Sequence, residues 1–239
     1  MLAWHEQLEG GVHLAVTDRH GGVSAAPYGS LNLGDHVGDD PAAVAENRRR
    51  VAQAAGVAAE RLVLLRQVHG DRVVVADGPL PEPPEADAVV TRQPGLLLAA
   101  LVADCTPVLL AAPDQGVVGV AHAGRPGMAA GVVLRTLEAM RELGARDVVA
   151  RVGPSICARC YEVPLDLREQ VAAVAPESRS VTRTGTPSLD VAAGVVAQLA
   201  PHCAQVRWLP GCAAEDAALY SYRRDGITGR YAGLAWMAA

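Results

Sequence analysis

The chain has 239 residues, half of them hydrophobic, with 21 basic against 26 acidic side chains, seven His and five Cys. That length can bury a full core without disulfide or metal staples, and a formal charge of -5 supplies no basic field for a nucleic-acid backbone or an anionic membrane. Every basic residue is Arg, which excludes Schiff-base, pyridoxal-phosphate and Walker-lysine chemistry and leaves a small molecule as the expected partner.

The N-terminal MLAWHEQLEGG carries acidic residues and no basic, apolar leader pattern, so a cytoplasmic location is expected and the odd cysteine count favours reduced thiols or metal ligands. Val12–Thr17 reads as a strand. Asp40 is placed to cap a helix opening with Pro41 and carrying Arg48, Arg49 and Arg50, and Gly56 stands where a left-handed terminator belongs. Strands are expected at Leu62–Val68 and Arg72–Ala76, followed by the break GPLPEPP (78–84), too short to divide the chain. The apolar stretch Leu96–Ala112 is shorter than a membrane span and carries Asp104 and Pro107, so it reads as buried core with strands at Leu96–Val102 and Val108–Ala112. Beyond it come a strand at Val117–His122, a helix at Met128–Leu143, a strand at Asp147–Val152, helices at Pro164–Ala175 and Asp190–Leu199, and strands at Gln205–Leu209 and Arg230–Trp236. With no internal repeat, this is the pattern of one α+β domain spanning residues 1–239, its mixed sheets flanked by helices.

Three of these strand ends carry metal-capable side chains: His69 in RQVHG (66–70), Cys105 in ADCTP (103–107) and His122 in VAHAG (120–124). Two imidazoles and a thiolate suit Zn²⁺, with Cu²⁺ as the alternative ion, and three protein ligands leave a coordination position free, as in catalytic sites. The spacing fits no compact zinc signature, so the residues alone leave unliganded core or surface roles open. Asp104 stands among apolar residues, where a carboxylate must be hydrogen-bonded, ion-paired or held protonated as a catalytic acid. The Gly-containing turn through Gly124 into the following helix has free backbone N–H groups for an oxyanion, with Arg125 beside it. Cys157-Ala-Arg-Cys160, Cys203 and Cys212 have neither redox-motif context nor Cys₄ zinc spacing and read as packing residues.

Taken together, TDRHGGVS (17–24), SLNLG (30–34), HVGD (36–39), ENR (46–48), QVHG (67–70), ADCTP (103–107), HAG (122–124), GPSI (153–156), YEV (161–163) and SYRRD (221–225) resemble the YfiH-type family, also called laccase-domain proteins, polyphenol oxidases or peptidoglycan-editing factors. The resemblance spans almost the whole chain. It implies an α+β fold, His69, Cys105 and His122 as metal ligands, and phosphorolysis of purine nucleosides, including adenosine, inosine and 5′-methylthioadenosine, accompanied by adenosine deamination. Purine nucleoside and phosphate are then the partners, Asp104 and Cys105 the catalytic residues, and Asn32, Arg48, Gln67, Gly124 and Arg224 the expected substrate or phosphate contacts. The chain departs from the family pattern after HAG, where Arg125-Pro126-Gly127 replaces the usual Trp-Arg-Gly, and at Cys157, where Gly is common.

Three other readings compete with phosphorolysis. Cys105 with His69 or His122 as base is the makings of a nucleophilic hydrolase acting on peptidoglycan precursors. The His₂Cys set also suits copper, although the remaining His carry no paired His-x-His signature for the multi-copper centre a phenol oxidase needs. A purely structural metal in an interaction module is the non-enzymatic alternative.

Overall fold

A computed structural model describes residues 1–239. In chain order the elements are β1 (Leu2–Gln7), β2 (Val12–Thr17), α1 (Pro41–Ala54), β3 (Leu62–Val63), β4 (Val73–Val75), β5 (Ala88–Thr91), β6 (Leu97–Val102), β7 (Thr106–Ala112), β8 (Val117–Ala123), α2 (Arg125–Ala130), α3 (Val132–Glu142), β9 (Val149–Val152), α4 (Leu165–Ala172), β10 (Arg179–Val181), β11 (Pro187–Leu189), α5 (Val191–Leu199), β12 (Gln205–Trp208), α6 (Tyr222–Asp225) and β13 (Tyr231–Met237). Two mixed sheets dominate, a five-stranded one ordered β1-β2-β13-β6-β3 and a six-stranded one ordered β12-β9-β7-β8-β5-β4. The expected α+β class with mixed sheets and outer helices is the fold observed.

The period-two geometry of a strand explains why the central ones read as unbroken apolar runs. In β6, Leu98, Ala100 and Val102 face the seam between the two sheets, while Leu97, Ala99 and Leu101 face Val51 and Ala52 of α1. In β7, Leu109 and Ala111 face the same seam, and Val108, Leu110 and Ala112 face Leu137 and Met140 of α3. The layers therefore run α1, five-stranded sheet, six-stranded sheet, then α2, α3 and α5, with three hydrophobic clusters filling the gaps.

Helix α1 forms as its sequence predicts: Asp40 accepts from Ala42 N at 3.0 Å, Pro41 opens it, and Gly56 (φ 70°) lies just past its end. Other expectations need correction. The helix expected at Met128–Leu143 is two helices, because Gly131 at φ 87° ends α2 and redirects the chain into α3. The strand expected at Leu62–Val68 stops at Val63, since the chain then leaves the sheet and Val68 lies exposed. Strands β1 and β5 were not apparent from the sequence. No helix is long and apolar enough to cross a membrane.

The chain passes from one sheet to the other between β6 and β7, in the bend Ala103-Asp104-Cys105. Asp104 in this bend has φ 98°, and His69, on the turn between β3 and β4, has φ 61°; these are the chain's two non-glycine residues with positive φ. Such conformations cost about 1–3 kcal/mol each and persist where surrounding contacts fix them. Both residues face one cavity.

Candidate metal centre and cavity

His69, Cys105 and His122 converge so that their ligand atoms all lie within 4.8 Å of one another. Each arrives from a different element. His122 lies in β8 opposite Pro107 of β7, Cys105 ends the crossover bend, and His69 rides on a turn after the chain leaves β3. The Cys105 Sγ to His69 Nε2 distance is 3.7 Å, and the two imidazoles meet edge to face with centroids 4.7 Å apart.

The residue that organises this trio, Asp87, was not singled out by the sequence reading. It is fully buried just before β5, and its carboxylate is bonded to His122 and to the turn that carries His69. Its carboxylate accepts from the backbone N–H groups of Val68 (3.2 Å), His69 (2.9 Å) and Gly70 (2.7 Å). The same carboxylate lies 2.8 Å from His122 Nδ1. One buried acid thus fixes the backbone of one ligand and the ring of another. With Nδ1–H donated to Asp87, His122 presents Nε2 towards the other two side chains, which is the tautomer a metal ligand needs. Burial pushes the Asp87 carboxyl up, but the His122 hydrogen bond and the two backbone donors outweigh it and hold it below the usual value.

Burial also pushes the Cys105 thiol up, but His122 and His69 overcome this and bring it down to about 6. For His122, burial favours the neutral ring, while Cys105 and Asp87 raise it to about 9. The two shifts run in opposite directions because each group favours the charged form of the other. This donor set, one thiolate, two imidazoles and a buried carboxylate behind one of them, fits a divalent zinc-like ion.

The trio opens onto a cavity of about 370 Å³, a size typical of small-molecule sites. Its walls divide by chemistry. Ile156, Tyr161, Leu101 and Val191 supply apolar surface, while Arg125, Arg223, Arg230 and His36 supply polar and charged groups. Arg223 lies over the Tyr161 ring with its guanidinium carbon 5.1 Å from the centroid, and its Nη1 donates to Glu162 O at 3.2 Å. Burial lowers the pKa of Arg230, whose Nη1 donates to Thr228 O and Gly229 O.

Of the residues expected from the sequence, the structure brings His69, Cys105, His122, Asp104 and Gln67 to the cavity. The open alternatives for Asp104 resolve to a hydrogen-bonded carboxylate: Oδ1 accepts from Ser221 Oγ at 2.6 Å and Oδ2 from Arg223 N at 2.7 Å. Through these two contacts the carboxylate holds the start of α6 while lining the cavity. Gln67 spends its amide on Leu101, donating to O at 2.7 Å and accepting from N at 2.8 Å. Gly124 is a matter of space, because a Cβ there would lie 2.6 Å from His69 Cδ2 and 3.2 Å from Cys105 Sγ.

Asn32, Arg48 and Arg224 are not among the cavity's lining residues. Asn32 is fully buried, donating to Gly34 O and Asp39 and accepting from Gly34 N and Arg230 N. Arg48 holds Leu33 O at 2.9 Å and pairs with Asp35 at 3.2 Å. Arg224 clamps three carbonyls, Ala213 O, Asp216 O and Leu219 O, at 2.8–3.0 Å. The hydrogen bonds these three donate go to backbone and carboxylate oxygens away from the cavity. Of the cavity's own arginines, Arg125 was expected beside the oxyanion turn, whereas Arg223 and Arg230 were not, although Arg223 stands next to Arg224 in SYRRD (221–225). The helix after Gly124 is six residues long and has Pro126, which carries no N–H, near its start, and Arg125 lies at the cavity wall.

Cys157, Cys160 and Cys212 gather with Glu215 in a second cluster, while Cys203 packs alone against the helical core.

A family profile described as multi-copper polyphenol oxidoreductase laccase matches residues 13–238. A Streptomyces griseus protein named purine nucleoside phosphorylase is 54% identical over 234 residues, covering 95% of each chain. Among solved structures, one from Neisseria meningitidis superposes with a TM-score of 0.85 at 36% identity, covering 96% of this chain and 95% of that one. A YfiH protein of Bacillus licheniformis superposes at 0.85 with 27% identity, covering 95% and 92%.

Proposed function

The chain belongs to the YfiH-type, laccase-like family, and from that premise we propose that it is a zinc-dependent purine nucleoside phosphorylase, acting on adenosine, inosine and 5′-methylthioadenosine with adenosine deamination as an accompanying reaction. The observation that carries this reading is the meeting of a His₂Cys centre, three arginines and an aromatic wall on one small cavity. The name of the Streptomyces relative agrees with it. Multi-copper oxidation finds less support, because His5 and His13 stack on Trp236 away from the cavity and only His36 joins the trio's two imidazoles on its wall.

Phosphorolysis breaks the N9–C1′ bond of the nucleoside, forms a bond from a phosphate oxygen to C1′, and releases the purine with a proton. His69, Cys105 and His122 would hold the zinc ion, which supplies Lewis-acid stabilisation of negative charge when bound. Arg223 and Arg230 pair with the phosphate, Arg223 through a planar guanidinium suited to two oxygens at once. Tyr161, Ile156 and Leu101 give the purine an apolar surface and reduce the water around it. Asp104 orients Arg223 by accepting its backbone N–H, so its contribution is geometric.

Zinc-loaded protein incubated with adenosine, with and without phosphate, tests the proposal by chromatography of the products. Phosphate-dependent adenine and ribose 1-phosphate, lost in Cys105→Ala, are expected. Inosine formed equally without phosphate isolates the deamination, and no turnover of any purine nucleoside overturns the reading. Capture of a covalent acyl-enzyme on Cys105 from a peptidoglycan precursor would favour the hydrolase instead.

A further inference from the structure

Outside the cavity, two loops meet that are remote in sequence. One follows β9 and carries Cys157-Ala-Arg-Cys160; the other follows β12 and carries Cys212 and Glu215. Backbone pairing between them is slight, a bridge between Ser155 and Cys212 and the Ala213 N to Ser155 O hydrogen bond at 3.0 Å. Yet the three Sγ atoms and a Glu215 oxygen all lie within 4.8 Å of one another. We propose that Cys157, Cys160, Cys212 and Glu215 form a second, structural zinc site that ties these two loops together.

Four features of the geometry support this assignment. A tetrahedron with bonds of about 2.3 Å to sulfur has edges of about 3.8 Å, so small side-chain adjustments bring the four donors onto one ion. The pair 157 and 160 is a two-residue chelate turn, closed by Cys160 N and Tyr161 N donating to Cys157 O at 3.0 and 3.1 Å. Cys157 N also donates to Cys212 Sγ at 3.3 Å, the kind of backbone N–H to sulfur contact that steadies a coordinated thiolate. Finally, the charge closes: a dication with three thiolates and one carboxylate is left with two negative charges, and Arg159 and Arg183 both already pair with Glu215.

Four protein donors leave no position for substrate, which separates this site from the three-ligand centre in the cavity. Zinc binding displaces three thiol protons to solvent, among them the one Cys160 now directs to Glu215 Oε1 at 3.2 Å. The consequence reaches the cavity indirectly. Cys157 and Cys160 flank the stretch between Ile156, whose N–H donates to Asp104 O at 2.9 Å, and Tyr161 on the cavity wall. On the other loop, Ala213 O accepts from the Arg224 clamp.

The test is zinc content, measured by mass spectrometry of the metal in the full chain purified under reducing conditions. His122→Ala, which breaks the cavity centre, should retain one equivalent. Adding Cys157→Ser and Cys160→Ser should remove it, and Glu215→Gln should weaken it at least tenfold in a chelator competition. Cobalt loaded into His122→Ala should give the intense visible bands and sulfur charge transfer of a tetrahedral thiolate site. A His122→Ala protein that holds no zinc, or holds it after both cysteines are replaced, overturns the proposal. So does a disulfide among Cys157, Cys160 and Cys212 in the reduced protein. Because the readout is metal content in a variant with a broken cavity centre, it stands or falls separately from nucleoside turnover.

Discussion

His122 Nδ1 and Asp87 Oδ1 are 2.8 Å apart, and both residues are buried, Asp87 completely. The pair couples a metal ligand in β8 to the turn that carries His69, because the same carboxylate accepts three backbone N–H groups there. Asp87→Asn should therefore weaken zinc binding at the cavity centre by about 10–100-fold, the range for losing a carboxylate behind a metal-bound imidazole. A chelator competition measures this directly. If affinity were unchanged, the carboxylate would be serving only the turn.

Gly124 tests the spacing of the same centre from the other side. A Cβ at that position lies 2.6 Å from the His69 ring, well inside van der Waals contact, so Gly124→Ala must push His69 away from Cys105. The glycine has a negative φ and the substitution adds no backbone strain of its own. Zinc affinity should fall at least tenfold while circular dichroism and the melting temperature stay close to wild type.

How much of this was legible in the sequence depended on whether a residue's role is local. Strands β6, β7 and β8 were visible because both their faces are buried, whereas β1 hides its role behind alternating exposed residues at the sheet edge. The trio's donor types were recognisable in three short motifs, although His69 lies on a turn and not at the strand end expected for it. Asp87 was not, because its partners lie 17–19 residues back and 35 residues ahead along the chain. Nor does sequence distinguish Arg223 from Arg224. They are neighbours on one helical turn, and only its orientation decides which guanidinium meets the cavity and which is consumed by carbonyls.

That distinction makes opposite predictions for adjacent arginines. Arg223→Ala should raise the KM for phosphate about tenfold or more with little change in melting temperature, because it removes a cavity-wall cation but leaves the backbone N–H that Asp104 accepts. Arg224→Ala strips three carbonyls of a charged donor and should cost about 2–3 kcal/mol of stability. Parallel kinetics and thermal melts of the two variants provide the check. An Arg223→Ala enzyme with unchanged phosphate KM would remove that residue from the substrate site.

The two sheets are also joined by an ion pair whose partners are 145 residues apart: Arg151 of β9 donates to both oxygens of Glu6 in β1, at 2.7 and 2.9 Å. Arg151 is only 3% exposed, so removing its partner leaves a buried charge uncompensated, and Glu6→Gln should destabilise the fold by about 3 kcal/mol. The Arg151 hydrogen bond holds the Glu6 carboxyl below its ordinary value, against burial and with help from the charges of Arg151 and Arg207. A lowered carboxyl means that the folded chain binds fewer protons here than the unfolded one, so stability rises with pH across the interval between the two values. Glu6 thus contributes fully above the unfolded value of about 4.3 and loses its contribution as the pH falls through the lower folded value. Denaturant titrations between about pH 3 and pH 6 should show a shallower acid limb in Glu6→Gln than in wild type. Parallel limbs would mean that Arg151 is compensated elsewhere and that this pair does not pin the sheets together.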